Sequence, residues 1–149
     1  MDEGLTTHLP PKVGKPYANL VAAVDADGNE LAGIRLPDIS VPLATYTGWN
    51  VRHPDIGGPV QTLSLLGSTI PFPATRAERE AVGDPRPSIA ERYASKADYL
   101  RQVQQAAAAL VQQGYLLAED LPTVMDQASQ CYDLFRSRAS VGDAAANGA

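Results

Sequence analysis

The spacing of apolar residues changes character once along this chain, and the change divides it. Before about Pro87 they come in short clusters broken by proline and glycine: Leu20–Val24, Glu30–Leu36 and Ile39–Tyr46. Eleven of the twelve prolines lie at or before Pro87, and only Pro122 lies beyond it. Proline removes a backbone donor and blocks helix interiors, so this part is expected to hold short strands and loops. Leu20–Val24 and Glu30–Leu36 are apolar enough to pair as a hairpin across Asp27-Gly28-Asn29. Glycine and asparagine accept the positive φ that such a turn needs. Arg52–Pro59, RHPDIGGP, reads as a loop.

Beyond that point the apolar period is helical. Thr75-x-x-Glu78, Ser88-x-x-Glu91 and Ser95-x-x-Asp98 each set a hydroxyl three residues before a carboxylate, the pattern of a capped helix start. The longest helix is expected from about Lys96 to Gln113, ending at Gly114, with Leu100, Val103, Ala107, Leu110 and Val111 on one stripe. A last helix should start at Asp120, with Pro122 in its first turn and a stripe of Leu121, Val124, Met125, Ala128, Tyr132 and Phe135. Ala106–Ala109 suits a close helix contact. Residues 1–16 read as a poorly ordered leader and 139–149 as a small, polar, disordered tail around a unit spanning 17–138. The fold class is therefore α+β: an N-terminal hairpin and proline-rich loops, then three or four helices.

Composition narrows the function classes. The chain has 149 residues and a formal net charge of -5, with 7 acidic and 4 basic residues up to Thr75 and 10 and 8 after it. That interspersion supplies no basic patch, so nucleic acid is not an expected partner. No stretch is apolar for long enough to span a bilayer, and MDEGLTTHLP lacks the apolar core of a secretion signal. A cytoplasmic location is the default expectation. The single Cys131 makes neither an internal disulfide nor, with two distant histidines, a zinc site. No cofactor is expected.

Particular motifs go further. Asp27-Gly28-Asn29 is followed by Gly33-Ile34-Arg35 with Pro37, by Val41-Pro42-Leu43-Ala44-Thr45 and Gly48, and by Gly67-Ser68 with Pro71-Phe72. Gly83-Asp84-Pro85-Arg86 and Glu91-Arg92-Tyr93 continue the series. Over roughly residues 17–135 this resembles the C-terminal part of a bacterial alpha/beta hydrolase domain family. The resemblance implies a piece of a larger hydrolase fold whose nucleophile and catalytic histidine sit upstream, in an esterase-like parent. On that reading the chain is a non-catalytic portion whose partner is the upstream catalytic half, or a second copy through self-association. The alternative is a free-standing, non-catalytic binding module derived from the same family.

The residues themselves offer little catalytic chemistry. A serine hydrolase needs an elbow serine, a histidine and an orienting acid, and no G-x-S-x-G occurs here. Ser68 follows Gly67 but lacks the second glycine, and a turn or hydrogen-bonding role suits it better. His8 and His53 each adjoin or neighbour prolines and read as solvated. A self-sufficient triad of Ser68, His53 and Asp55 is the weakest of three readings. Asp25–Glu30 invites a calcium loop, but glycine falls at the fourth position and Leu36 occupies the twelfth, where an EF-hand needs a carboxylate. Arg35 could pair with a carboxylate of the hydrolase body, or be an ordinary surface arginine. Trp49 and Tyr46, close together, could line a substrate pocket, though packing is the simpler role for the tryptophan. Tyr46, Trp49 and Arg35 are thus the candidate pocket wall.

Overall fold

The computed structural model describes Leu9, residues 20–56 and residues 61–146. The expected leader, apart from an exposed Leu9, lies outside the described residues. The elements are α1 (Pro37–Ser40), β1 (Ala44–Val51), β2 (Thr62–Pro71), α2 (Arg76–Val82), α3 (Ile89–Arg92), α4 (Lys96–Gln112) and α5 (Leu121–Ala146). Short 3-10 turns sit at Pro54–Ile56 and Ala118–Asp120. The α+β class holds, as a strand-and-loop half followed by helices.

The DGN segment folds as a turn and the pairing beside it is brief. One bridge joins Val24 to Glu30, and the Leu31 N–H donates to the Ala23 carbonyl at 3.0 Å. The longer hairpin of Leu20–Val24 with Glu30–Leu36 does not form. Gly33, at φ +82°, swings the chain away from pairing and toward α1, where Pro37 occupies the first turn at no hydrogen-bond cost. The two-stranded antiparallel sheet is instead β1 with β2, further along the chain. Ala44 pairs with Pro71 at its base and Val51 with Thr62 at its far end. Base and far end differ in burial. Leu43, Ala44 and Thr45 are buried, whereas Asn50 and Val51 are exposed. Arg52–Ile56, described up to Ile56, is loop and 3-10 turn as expected.

Helix starts follow the capping signals. The Thr75 and Ser95 hydroxyls accept from the backbone N–H groups of Glu78 (3.3 Å) and Asp98 (3.1 Å). Ser88 is fully buried and donates both its N–H (2.9 Å) and its hydroxyl (2.7 Å) to the Glu91 carboxylate. Gly114, at φ +78°, ends α4 and lets the Tyr115 N–H reach the Leu110 carbonyl at 2.9 Å.

α4 and α5 run antiparallel and carry half of the buried apolar residues among those described. Lys96 at the start of α4 pairs with Asp133 midway along α5 at 2.6 Å. The buried stripe of α4 is Tyr99, Val103, Ala107 and Leu110, so the seam is centred on Tyr99 rather than on Leu100, which is half-buried. From α5 come Ala128, Tyr132 and Phe135. Tyr99 stacks on Tyr132 with ring centroids 5.3 Å apart and meets Tyr93 edge-on at 5.0 Å. Val41, Leu43, Ala44 and Phe72 bring the base of the sheet into the same core. α5 continues to Ala146, through most of the segment expected as a tail, because its alanines are strong helix formers that propagate an established helix. Among the described residues no helix is long and apolar enough to cross a membrane.

Candidate functional site

The motif residues converge on one node between the DGN turn, the base of the hairpin and α3. Asp25 closes the turn, its Oδ1 accepting from the N–H groups of Asp27 and Asn29, both at 3.0 Å. Gly28, at φ +80°, leaves room that a Cβ would fill only by approaching Thr45 Cγ2 to 2.8 Å. Asn29 is fully buried and its amide acts as a strand would. Its Nδ2 donates to the Ala44 carbonyl (3.1 Å) and its Oδ1 accepts from the Tyr46 N–H (2.8 Å), along the edge of β1 that β2 leaves free.

Three arginines tie the node together. Arg35 donates to Asp25 Oδ2 at 2.6 Å and to the Ile39 carbonyl at 3.0 Å, which fastens α1 to the turn. Arg92 on α3 grips both oxygens of Asp27, with Nη1 at 2.8 Å from Oδ2. Arg86 pairs with Asp84 and reaches the Thr45 hydroxyl at 2.7 Å and the Ile70 carbonyl at 3.1 Å. Thr45 in turn donates to the Asp27 carbonyl. Arg92 and Arg86 also flank Phe72, with guanidinium carbons 4.2 and 5.1 Å from the ring centroid. Burial raises the Asp25 carboxyl, but the Asn29 N–H, Arg35 and the Asp27 N–H outweigh it and the pKa falls below the usual range. Arg86 likewise lowers Asp84. Both aspartates of the Asp25–Glu30 segment are committed to arginines. Among the described residues no cluster of three His, Cys, Asp or Glu side chains could hold a metal ion.

The Gly67-Ser68 pair builds a β-bulge. The register passes from Thr47–Ser68 to Trp49–Ser64, leaving Leu65, Leu66 and Gly67 opposite Gly48 alone. A Cβ on Gly67 would lie 2.5 Å from the Thr47 carbonyl oxygen, so only glycine fits. The Ser68 N–H donates to Thr47 Oγ1 at 3.1 Å, and Thr47 Oγ1 donates to the Trp49 carbonyl at 2.5 Å. His53 and Asp55 sit 3.5 Å apart in the exposed loop beyond Val51. Four residues of strand, on the order of 13 Å, separate that loop from the position paired with Ser68. The chain does not bring Ser68 and His53 together.

Two adjoining cavities lie on the other side of β1. The larger, about 640 Å³, opens between Tyr46 and Thr69 of the sheet and Gln130, Cys131 and Leu134 of α5. The smaller, about 160 Å³ and more enclosed, runs under α1 between Tyr99 and Val103 of α4 and Val124 and Ala128 of α5. Asp38 and Gln127 line both. Desolvation raises the Asp38 carboxyl, and burial together with the Asp38 charge raises Tyr46 and Cys131. Of the three expected wall residues, Tyr46 lines this cleft. Arg35 is held by Asp25, and Trp49, half-buried, sits beyond the bulge opposite Ser64.

Sequence reasoning singled out Asp27, Gly28 and Asn29 as a turn but missed Asn29 as the link to β1. It also missed Arg86, Arg92 and Phe72 as partners. The only signal for them was their place in the motif series, since nothing in a linear sequence says that Asp27 will meet Arg92. Comparison with known proteins agrees with the motifs. No curated protein and no solved structure matches significantly. The sequence profile of a family described as "Alpha/beta hydrolase domain" matches residues 3–126, most of the chain. The chain belongs to the alpha/beta hydrolase domain family.

Proposed function

We propose that this chain is a C-terminal, non-catalytic portion of an esterase-like alpha/beta hydrolase, one that packs against an upstream catalytic half and helps to border its active site. The observation that carries the reading is the direction of the apolar side chains in the strand-and-loop half. Leu20 is 92% exposed and Leu65 96%, and Leu31, Ile34, Leu36, Leu66 and Ile70 are also exposed. Single exposed apolar residues are ordinary, but so many in one half of a small unit support a reading in which that half contacts protein. The motif residues support the same reading: Asn29, Arg35, Gly67 and Ser68 serve architecture here, and none is presented as a nucleophile. Tyr46 remains the wall residue we would place beside a substrate. A cytoplasmic location and a bacterial source belong to the same proposal.

The test has two arms. The purified chain should turn over short acyl esters at background rate, and co-expression with the preceding segment of its parent gene should restore esterase activity. Hydrolysis by the chain alone that vanishes in Ser68→Ala overturns the reading. The second reading, a free-standing interaction module, is favoured by the core around Tyr99, which the helices and the base of the sheet build together from this chain's own residues. It would be preferred if the chain melts cooperatively as a monomer, binds no hydrophobic dye and ignores the upstream segment.

A further inference from the structure

We propose that the paired cavities at Asp38 form a binding site for a short-chain primary alkylammonium ion, its ammonium on the Asp38 carboxylate and its alkyl chain in the enclosed pocket beneath. Leu36 and Tyr46 belong both to this site and to the half that the proposed function sets against a partner, so the site is tested on the chain alone.

Charge complementarity names the head group. Asp38 lines both cavities, and the other described residues lining them are neutral. Among the described residues no cation pairs with it: Arg35, three positions before it, is turned to Asp25. No neighbouring side chain donates a hydrogen bond to the carboxylate either; its own backbone N–H does. An anion entering here would meet a like charge, whereas an ammonium would meet an opposite one. Gln127 and Gln130 line the larger cavity as well and carry amide oxygens able to accept from the remaining N–H groups.

Shape names the rest. Beyond Asp38 the smaller cavity is walled by Leu36, Pro37, Val103, Leu116, Val124 and Ala128. Its volume of about 160 Å³ is too small for a drug-sized ligand but roomy for a few carbons of unbranched or singly branched chain. The open cleft of about 640 Å³ gives that ligand its way in. Charge at the junction and apolar walls below therefore select an amine over an alcohol or a carboxylate of the same chain, and a longer chain over methylammonium.

The experiment is an NMR titration of the full chain with n-butylammonium chloride at constant ionic strength. Saturable shifts are expected at Asp38, Tyr46, Gln127 and Gln130, with no saturation for n-butanol or butyrate and affinity about tenfold weaker for methylammonium. Asp38→Asn, at an exposed position where folding is not at stake, should weaken n-butylammonium about tenfold. Val124→Phe should fill the inner pocket and erase the preference for the longer chain. Equal binding of n-butanol, unchanged affinity in Asp38→Asn, or no saturation at tens of millimolar overturns the proposal. So does a chain-length preference that survives Val124→Phe.

Discussion

The strand-and-loop half and the helical half of this chain treat their apolar side chains in opposite ways. Among the described residues, those in 20–70 contribute three members of the buried apolar core, Val41, Leu43 and Ala44, and eleven of the large exposed apolar residues. Residues 71–137 contribute eleven core members, Phe72 to Phe135, and only four large exposed ones. The helical half is thus held by burial, which is non-directional and tolerant. The other half is held by directed polar links: Asn29 to β1, Arg35 to Asp25, Arg92 to Asp27 and Arg86 to Thr45. Buried apolar area tolerates small shifts of geometry, whereas hydrogen-bonded charge pairs do not. The first half should therefore be the more sensitive to single polar substitutions.

The largest effect should come from the helical side. Tyr99→Ala removes a fully buried ring that touches both Tyr93 and Tyr132, and should cost roughly 3–5 kcal/mol. Thermal melting by circular dichroism should show the midpoint fall sharply, with hairpin and helices lost together. Separate transitions for the two halves would break the picture of a shared core.

Asn29→Ala is the sharpest probe of the polar side. It strips the partners from the Ala44 carbonyl and the Tyr46 N–H and should cost about 2 kcal/mol, although no apolar core contact is lost. Hydrogen exchange should accelerate at Tyr46 while α4 amides keep their protection. Equal acceleration in both would show that the two halves are not held differently.

A smaller effect should appear with pH. The Ser88 N–H, the Ser88 hydroxyl and Arg79 hold the Glu91 carboxyl down at about 2, against an ordinary value of 4.5. A depressed carboxyl contributes stability that is complete above its unfolded pKa and lost as pH falls through the folded one. Urea melts between about pH 4.5 and 2 should therefore show stability declining, more gently in Glu91→Gln. An unchanged slope in that variant would mean that other carboxylates dominate.

The smallest effect on stability should come from Leu66→Ser, at an exposed position in the bulge, within about 0.5 kcal/mol. Dye binding or self-association should nevertheless drop, because an exposed leucine has been removed. A large loss of stability instead would show that the exposed face is not free.

What the sequence made legible was local. Thr75, Ser88 and Ser95 start helices because capping is decided within three residues, and Gly114 stops one for the same reason. The α5 stripe follows from its period, and the α4 stripe does so at Val103, Ala107 and Leu110, while its first member is Tyr99 in place of Leu100, since tyrosine looks half-polar in a sequence. β1 and β2 were missed as strands. Their apolar alternation is interrupted by Gly48 and Gly67, and the bulge that explains both glycines exists only once the strands are paired. The node around Phe72 was hidden for a different reason: Asp27 and Arg92 are 65 positions apart. The cleft at Asp38 draws on α1, the sheet and α5 together, and no short motif encodes it.

That separation has a consequence for how the chain is born. A ribosome adds roughly 5–20 residues per second, so Arg92, 65 positions later, is joined roughly 3–13 s after Asp27. Phe72 and Arg86 come earlier, but Tyr132 and Phe135, which complete the core under the hairpin, come later still. For those seconds Leu31, Ile34 and Leu36 have been joined while the arginine that anchors the turn beside them has not. The order of synthesis thus runs opposite to the order of need, and it makes this half a natural client for chaperones that bind nascent apolar segments.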